Sequence, residues 1–158
     1  KSMLLILTPA NLKRMTDRSR DIVNYMMSND RFSHWLGIEV VEAQAGSAIL
    51  KMQVREEMTN GFNIAHGGIS YSLADSALAF ASNGYGTQAV SIETSISHTR
   101  PVKTGDTLRA VAVEKNRSRK IGIYEVTVEN QEGKKIALFK GTVFYKDSEW
   151  PQNLTQKA

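Results

Sequence analysis

The spacing of apolar residues predicts a helix near the start of the sequence. Thr8 followed by Pro9 is a common way to begin a helix, with threonine as the N-cap and proline at the first helical position. Apolar residues then recur every three or four positions as far as Ser28, which is the period of a helix with one packed face. They are Leu12, Met15, Ile22, Val23 and Met26. We therefore predict an N-terminal helical segment over residues 8–35.

From Leu36 onward the apolar pattern changes to that of strands. The runs 38–43 and 47–54 are separated by a turn that contains Gly46. In the second run, apolar residues alternate with polar ones, which is typical of a strand with one buried face. The apolar set is Ala48, Leu50, Met52 and Val54. The pattern thus predicts two strands joined by a turn.

Residues 65–83 form a second segment of helical character, and it is long enough to be the main helix. The segment contains no proline and many small residues, and Gly84 and Gly86 follow it as stop signals. A polar loop over residues 55–63 precedes it. The strand-like runs that follow it are 89–100, 107–115, 121–129 and 134–145.

The predicted order of elements is one helix, two strands, a long helix and four strands. Consecutive hairpins without regular β-α-β alternation indicate the α+β class, with an antiparallel sheet of about six strands and one long helix against it. A length of 158 residues suits a single domain, with a core over 36–146 and a tail over 147–158. Because one sheet face has only that helix to cover it, we expect a homodimer.

Composition excludes several classes of protein. Hydrophobic residues make up 41% and charged residues 23% of the chain, which is typical of a globular protein. The lack of cysteine excludes disulfides and thiol nucleophiles and fits a cytoplasmic protein. The three histidines are too dispersed for a zinc site, and no apolar run near the start is long enough for a membrane span. We therefore expect neither a metal site nor membrane association.

The sequence also lacks the motifs of common nucleotide and esterase sites. It has no P-loop, no Gly-x-Ser-x-Gly nucleophile elbow and no dinucleotide fingerprint. The net charge of +4 is compatible with nucleic acid or with a ligand that carries several phosphates. Nucleic-acid binding is disfavoured, because Lys and Arg are dispersed and no aromatic residue interleaves the basic cluster 117–120.

The start of the long helix, His66-Gly67-Gly68, is the first candidate site. Each glycine in a helix costs roughly 0.5–1 kcal/mol relative to alanine. Two explanations are open: this end packs closely against another backbone, or a ligand approaches its free N–H groups. Such groups, at the positive end of the helix dipole, suit the oxyanion of a reacting carbonyl.

Asp75 is the second candidate site. It lies on the opposite side of the helix from the apolar stripe that should face the sheet. That stripe consists of Ile69, Leu73, Ala77 and Phe80. The neighbours of Asp75 on its own side are mostly small or apolar, as in a second contact face. A carboxylate in such a face needs either a partner or a catalytic role.

The separation of the two candidates bears on the assembly. From His66 to Asp75 is nine residues, or about 13.5 Å along a helix. Groups that far apart cannot both touch one carbonyl carbon. If two such helices pack antiparallel across a two-fold axis, the start of one lies beside the middle of the other. We therefore expect an active site made between two chains and formed twice in a dimer.

Several motifs together resemble the hotdog-fold acyl-CoA thioesterases, and within them the phenylacetic acid degradation subgroup. The resemblance covers about residues 25–146, and it is specific because Asn60, His66 and Asp75 match in identity, order and spacing. The matching segments are 36–42, 60–61, 66–68, 73–75, 100–106 and 133–137. The resemblance implies a long helix wrapped by an antiparallel sheet, dimers that join sheets and pack helices antiparallel, and dimers that pair into tetramers.

The resemblance also implies the reaction, in which an acyl-CoA and water give a free acid and CoA. It implies that Asp75 is the general base or nucleophile and that the Gly67 N–H of the other chain polarises the thioester carbonyl. His66 and Asn60 would orient substrate or water, and Ser91 would place a hydroxyl near the attacking water. The family requires no metal or redox cofactor. The expected acyl group is aryl-acetyl or of medium length.

Basic residues give the charged end of CoA candidate partners, because charge-assisted hydrogen bonds suit phosphate. The candidates are Arg117, Arg119 and Lys120 in one hairpin loop, and Arg100 at a strand end. Two other functions remain open, an acyl-CoA-binding module without catalysis and an acyl-thioester dehydratase or hydratase. Hydrolysis fits better than the latter, because Asp75 is the only carboxylate on the helix face and His66 lies beside the glycines.

Overall fold

The computed structural model describes residues 9–154, and side chains from residue 18 onward. Within this range the chain forms three α-helices, six strands and one 3₁₀ helix (Glu56–Met58). The α-helices are α1 (Pro9–Asn29), α2 (Arg31–Leu36) and α3 (Gly67–Asn83). The strands are β1 (Glu39–Gln44), β2 (Ser47–Gln53), β3 (Thr87–His98), β4 (Thr107–Arg117), β5 (Ile121–Glu129) and β6 (Lys135–Glu149). The expected N-cap Thr8 and the side chains of Leu12 and Met15 lie outside the described residues.

The strands form one sheet in the order β1-β2-β4-β5-β6-β3. All neighbouring strands in this sheet are antiparallel. The sheet and the helix α3 against it confirm the α+β class and the predicted order of elements. None of the helices that the structure describes is long and apolar enough to cross a membrane.

Helix α3 packs on one face of the sheet, which we call the inner face. Its predicted apolar stripe is buried. The stripe consists of Ile69, Leu73, Ala77 and Phe80. Leu78 is also buried and packs on β6, where a glycine leaves room for it, since a Cβ added at Gly141 would overlap Leu78 Cδ2. The close fit fixes the distance between the helix and this strand.

The boundaries of some elements differ from the predicted ones by a few residues. Helix α3 begins at Gly67 rather than at residue 65, because His66 serves as its N-cap. Strand β6 continues to Glu149, so residues 147–149 of the predicted tail belong to the strand. The helical segment near the N-terminus is divided into α1 and α2 at Asp30, whose side chain caps α2 by accepting a hydrogen bond from the Ser33 N–H.

Strand β3 forms an edge of the sheet and, among the described strands, pairs with β6 alone. Its apolar residues Val90 and Ile92 are 43% and 56% exposed, whereas their alternation with polar residues predicts a half-buried strand. The difference arises because Val90 pairs with Phe144, which is 37% exposed, on the outer face of the sheet, whereas Ser91 pairs with the buried Val143; Ile92 lies at a β-bulge. An exposed apolar edge strand readily pairs with a second chain.

The two ends of the described chain meet at the C-terminal end of α3. The Arg18 guanidinium donates hydrogen bonds to the carbonyls of Trp150 and Pro151, each at 2.7 Å. Trp150 Nε1 donates to Asn83 Oδ1 at 2.8 Å, and the Trp150 ring meets the Tyr25 ring edge to face. These contacts hold α1 and the end of the described chain against the C-terminal end of α3. The two glycines lie at the opposite end of that helix.

Candidate active site

The first turn of α3 holds one backbone N–H group that can bind a ligand. His66 Nδ1 accepts a hydrogen bond from the Gly68 N–H at 2.9 Å, and the His66 carbonyl accepts from the Ile69 N–H at 2.9 Å. The Gly67 N–H has no hydrogen-bond partner in the part of the chain that the structure describes. A free N–H at a helix N-terminus stabilises negative charge on a nearby oxygen.

The limited space around this turn also favours both glycines. A Cβ added at Gly67 would lie 3.1 Å from His98 Cε1, and one added at Gly68 would lie 3.0 Å from His66 Nδ1. Of the two explanations that the sequence left open, close packing is found in a changed form, and approach of a ligand stays a prediction. The turn packs closely, although against side chains rather than another backbone, and it also presents a free N–H.

A cavity of about 370 Å³ opens beside this turn and brings together three of the predicted site residues. These are Asn60, Gly67 and Arg100. Asn60 Oδ1 accepts a hydrogen bond from the Phe62 N–H at 2.8 Å, which orders the loop before the helix. Arg100 donates to the Lys135 carbonyl at 2.8 Å. The apolar part of the lining includes Ile64, Ala65, Pro101, Val102, Leu108 and Ile136.

Two further residues of this cavity, Ser70 and His98, were not singled out from the sequence. His98 Nε2 lies 3.0 Å from Ser70 Oγ and 3.1 Å from the Gly67 carbonyl oxygen. The alternation along β3 could have placed His98 on the inner face, because it is two residues beyond Ile96. That it meets the start of α3 depends on the arrangement of β3 against the helix, which the sequence pattern does not contain.

Asp75 lies half-buried in the middle of α3. Within the described residues no hydrogen bond or ion pair reaches its carboxylate, and burial raises its pKa above the usual value for aspartate. Loss of solvation disfavours the charged form, and no cation nearby compensates for it. A desolvated carboxylate of this kind is suited to accept a proton or to attack a carbonyl.

Asp75 does not reach the cavity at the start of its own helix. Eight residues separate it from Gly67 along α3, which corresponds to about 12 Å. The cavity beside Gly67 is lined by other residues. The free N–H and the carboxylate of one chain therefore lie too far apart to act on the same atom.

Among the described residues, no group of three or more His, Asp or Glu side chains is arranged to hold a metal ion.

Ser91 lies on the inner face of β3, alongside the middle of α3. It pairs across the sheet with Val143, which is buried beneath the helix. Two contacts fix the alignment of β3 and α3: Tyr71 Oη lies 2.7 Å from Thr94 Oγ1, and Asn83 Oδ1 accepts a hydrogen bond from the N–H of Ala89. Ser91 lies between these contacts on β3, as Asp75 does on α3.

The basic hairpin lies at the other end of α3 from the cavity. Arg117 ends β4 rather than belonging to the loop, and its guanidinium lies over the Tyr85 ring, 3.7 Å from the centroid. Tyr85 follows the C-terminus of α3, a helix of 17 residues that is about 25 Å long. Within one chain the structure therefore separates Arg100 from Arg117, Arg119 and Lys120.

Acidic neighbours distinguish the basic residues of this hairpin. Lys120 forms an ion pair with Asp147 and holds the pKa of that carboxyl below its usual value. Arg117 and Arg119 line an open cavity of about 640 Å³, whose lining also includes the acidic residues Glu114, Asp147 and Glu149. Because the charge of Lys120 is already paired, the two arginines are better placed to bind an added anion.

The sequence matches the family model of the thioesterase superfamily over residues 62–137. A putative esterase of Archaeoglobus fulgidus is 39% identical over 142 residues, which cover 90% of this chain and 90% of the relative. The acyl-coenzyme A thioesterase PaaI of Escherichia coli is 36% identical over 127 residues, which cover 80% of this chain and 91% of the relative.

Solved structures show the same similarity. The PaaI protein from the phenylacetic acid degradation operon of Escherichia coli superposes with a TM-score of 0.84 at 33% identity, over 85% of this chain and 98% of that protein. A protein of Streptococcus mutans bound to acetyl-CoA superposes with a TM-score of 0.69 at 27% identity, over 72% of this chain and 91% of that protein. These matches confirm the resemblance inferred from the motifs and the hotdog fold.

Proposed function

The chain belongs to the thioesterase superfamily and is an acyl-CoA thioester hydrolase, and we propose that its active sites form between two copies of the chain. One observation carries this proposal. The Gly67 N–H at the cavity and the desolvated Asp75 carboxylate lie on one helix, about 12 Å apart. Two helices packed antiparallel would bring the Gly67 of one chain to the Asp75 of the other.

The exposed edge of β3 supports this assembly. A second copy that pairs with β3 would bind its free backbone edge and would extend the sheet across the two-fold axis. The same pairing would place the two α3 helices side by side. We propose further that two such dimers associate into a tetramer, as the family resemblance implies.

In the proposed mechanism, the thioester carbonyl oxygen accepts a hydrogen bond from the partner's Gly67 N–H. This N–H and the helix dipole stabilise the negative charge that develops on that oxygen in the transition state. Asp75 removes a proton from water, the water oxygen attacks the carbonyl carbon, and the carbon–sulfur bond breaks. The proton is returned to the leaving thiolate, so that the products are the free acid and CoA.

Asp75 as a nucleophile is the other form of the same mechanism. Its carboxylate would then attack the carbonyl carbon, release CoA and form an anhydride, which water hydrolyses. Single-turnover hydrolysis in isotopically labelled water detects the anhydride when water opens it at the Asp75 carbon. The label then enters the Asp75 carboxylate and the acid leaves unlabelled, whereas direct attack by water puts the label into the acid.

Three other polar residues complete the proposed site. Asn60 lines the cavity and has its oxygen engaged with the Phe62 N–H, which leaves its amide N–H groups to hold the substrate. His66 keeps the first turn in place by capping the Gly68 N–H. Ser91, alongside the middle of α3, would orient the attacking water through its hydroxyl.

The CoA phosphates would be bound by basic residues from both chains. In an antiparallel pair, the C-terminal end of one α3 lies toward the start of the other. The hairpin with Arg117, Arg119 and Lys120 would then approach the partner's Arg100 at the cavity. Charge-assisted hydrogen bonds from these residues suit a ligand that carries several phosphates.

The acyl group that we propose is aryl-acetyl or of medium length, in agreement with the similarity to PaaI of the phenylacetic acid degradation operon. The lining of the cavity beside Gly67 includes apolar side chains such as Val102, Leu108 and Ile136, which suit such a group. A cytoplasmic location is proposed as well, since a chain without cysteine suits a reducing compartment.

The direct test is Asp75→Ala assayed by thiol release from phenylacetyl-CoA and from saturated acyl-CoAs of increasing length. We expect kcat to fall by roughly 10²–10⁴-fold, because the proton acceptor or nucleophile is lost. The fold and the dimer should survive, as judged by circular dichroism and scattering. Near wild-type turnover of this variant would refute the assignment, and binding of acyl-CoA by the wild type without thiol release would indicate a binding module.

A further inference from the structure

His98 contacts the first turn of α3 at the point where the proposed oxyanion donor lies. Its Nε2 is 3.1 Å from the Gly67 carbonyl oxygen and 3.0 Å from Ser70 Oγ. We propose that His98 is a positioning residue, which holds the peptide groups on both sides of Gly67 so that the Gly67 N–H points at the thioester carbonyl. The inference rests on the proposed function.

The hydrogen bonds at Nε2 determine which ring nitrogen carries the proton. A carbonyl oxygen only accepts hydrogen bonds, so Nε2 must be protonated to donate to the Gly67 carbonyl. Ser70 Oγ also lies 3.2 Å from that carbonyl. The Ser70 hydroxyl donates to it there, and the Nε2 proton is shared between the carbonyl and Ser70 Oγ. The carbonyl of Gly67 is thus held from two sides.

Gly67 needs such support because the backbone dihedral angles of glycine are less restricted than those of any other residue. The N–H and the carbonyl of Gly67 are joined through its Cα, so fixing the carbonyl limits how far the N–H can turn. The His98 ring also lies directly against Gly67, since a Cβ added there would be 3.1 Å from His98 Cε1. The imidazole thus both donates a hydrogen bond to Gly67 and restricts its movement by steric contact.

The role of His98 is separable from that of the residues already discussed. It lies at the end of β3, on a different element from Asp75, and its Nε2 is engaged with α3 rather than directed at a substrate. An oxyanion donor acts mainly in the transition state. Misplacing it should therefore lower kcat and change KM little.

Two substitutions distinguish the hydrogen bond from the bulk of the ring. His98→Phe keeps a ring over Gly67 and removes the donor, whereas His98→Gln keeps an N–H that reaches the Gly67 carbonyl. We expect His98→Phe to lower kcat by roughly 10–100-fold with KM within about twofold, and His98→Gln to retain kcat within a few-fold. Ser97→Ala, on the other face of β3, serves as the control and should leave both constants unchanged.

A second readout does not depend on turnover. The amide resonance of Gly67 in a ¹⁵N–¹H spectrum should move in His98→Phe, which keeps a ring against Gly67 and loses the hydrogen bond. Wild-type kcat in His98→Phe together with an unmoved Gly67 resonance would overturn the proposal. So would an equal loss of kcat in both variants. Absence of thiol release by the wild-type enzyme would instead refute the proposed function, while the Gly67 resonance would still test the role of His98.

Discussion

Asp75 combines two properties that suit a catalytic base. It is half-buried in the middle of α3, and no cation in the described chain offsets the cost of ionising it, so its pKa is raised. A carboxylate with a raised pKa accepts a proton from water more readily than an exposed one. Its position opposite the apolar stripe, among small and apolar residues, made Asp75 recognisable in the sequence.

The raised pKa has a consequence for the pH dependence of the reaction. Asp75 must be ionised to act, and protonation removes activity as the pH falls through its pKa in the free enzyme. The acid limb of kcat/KM should therefore have its midpoint above the ordinary aspartate value of about 3.9. Stopped-flow thiol release over about pH 3–8 measures it, with circular dichroism to show that the fold persists. A midpoint at or below the ordinary value would contradict the assignment.

Most elements were predictable because their apolar residues follow the period of a helix or a strand over many positions. Strand β5 spans Ile121–Glu129, as predicted, and α3 buries the stripe that the spacing indicated. Helix α2 and the 3₁₀ helix Glu56–Met58 were missed as separate elements, because six and three residues are too few to show a period. Val90 and Ile92 are exposed because Ser91, which pairs with the buried Val143, is the residue that faces α3, and alternation within one strand does not reveal which of its faces is covered.

Packing of α3 on β6 gives a test at the level of elements. In Gly141→Ala, the new Cβ would overlap Leu78 Cδ2, and Leu78 is fully buried in the core. We expect a loss of roughly 1–3 kcal/mol in the free energy of unfolding, as is usual for overpacked cores. Urea titration measures it.

A matched control for this substitution is Gly61→Ala, where no atom lies within 4 Å of the added Cβ. Its effect should stay within about 0.5 kcal/mol. Truncation of the clashing side chain in Gly141→Ala/Leu78→Ala should cost less than the sum of the two single substitutions. If Gly141→Ala were as stable as the wild type, the close approach of α3 to β6 would be wrong.

At the level of the whole molecule, the sequence predicted the components of the site better than their arrangement. Asn60, Gly67 and Arg100 do meet at one cavity. Ser70 and His98 were missed, because their contact requires β3 to lie beside the start of α3, and β3 reaches that place by pairing with β6, three elements later in the chain. The distance of the hairpin from Arg100 likewise follows from the sheet order and not from local patterns.

The central claim is that each active site takes its Gly67 N–H from one chain and its Asp75 carboxylate from the other. Substitutions at these two residues test it. Gly67 occupies the first position of the helix, where proline is tolerated, so Gly67→Pro removes the N–H while keeping the helix. Gly67→Ala is its matched control, since it introduces the same Cβ against His98 and retains the N–H. Gly67→Pro should be far less active than Gly67→Ala, and Asp75→Asn should be inactive.

Mixing the two defective chains tests the claim most directly. Asp75→Asn and Gly67→Pro, co-expressed with different tags, would form heterodimers in which one site carries both defects and the other is intact. With random pairing, thiol release should recover to about a quarter of the wild-type activity. If each site belonged to a single chain, every site in the mixture would carry one defect, and activity no higher than the average of the two homodimers would contradict the shared site.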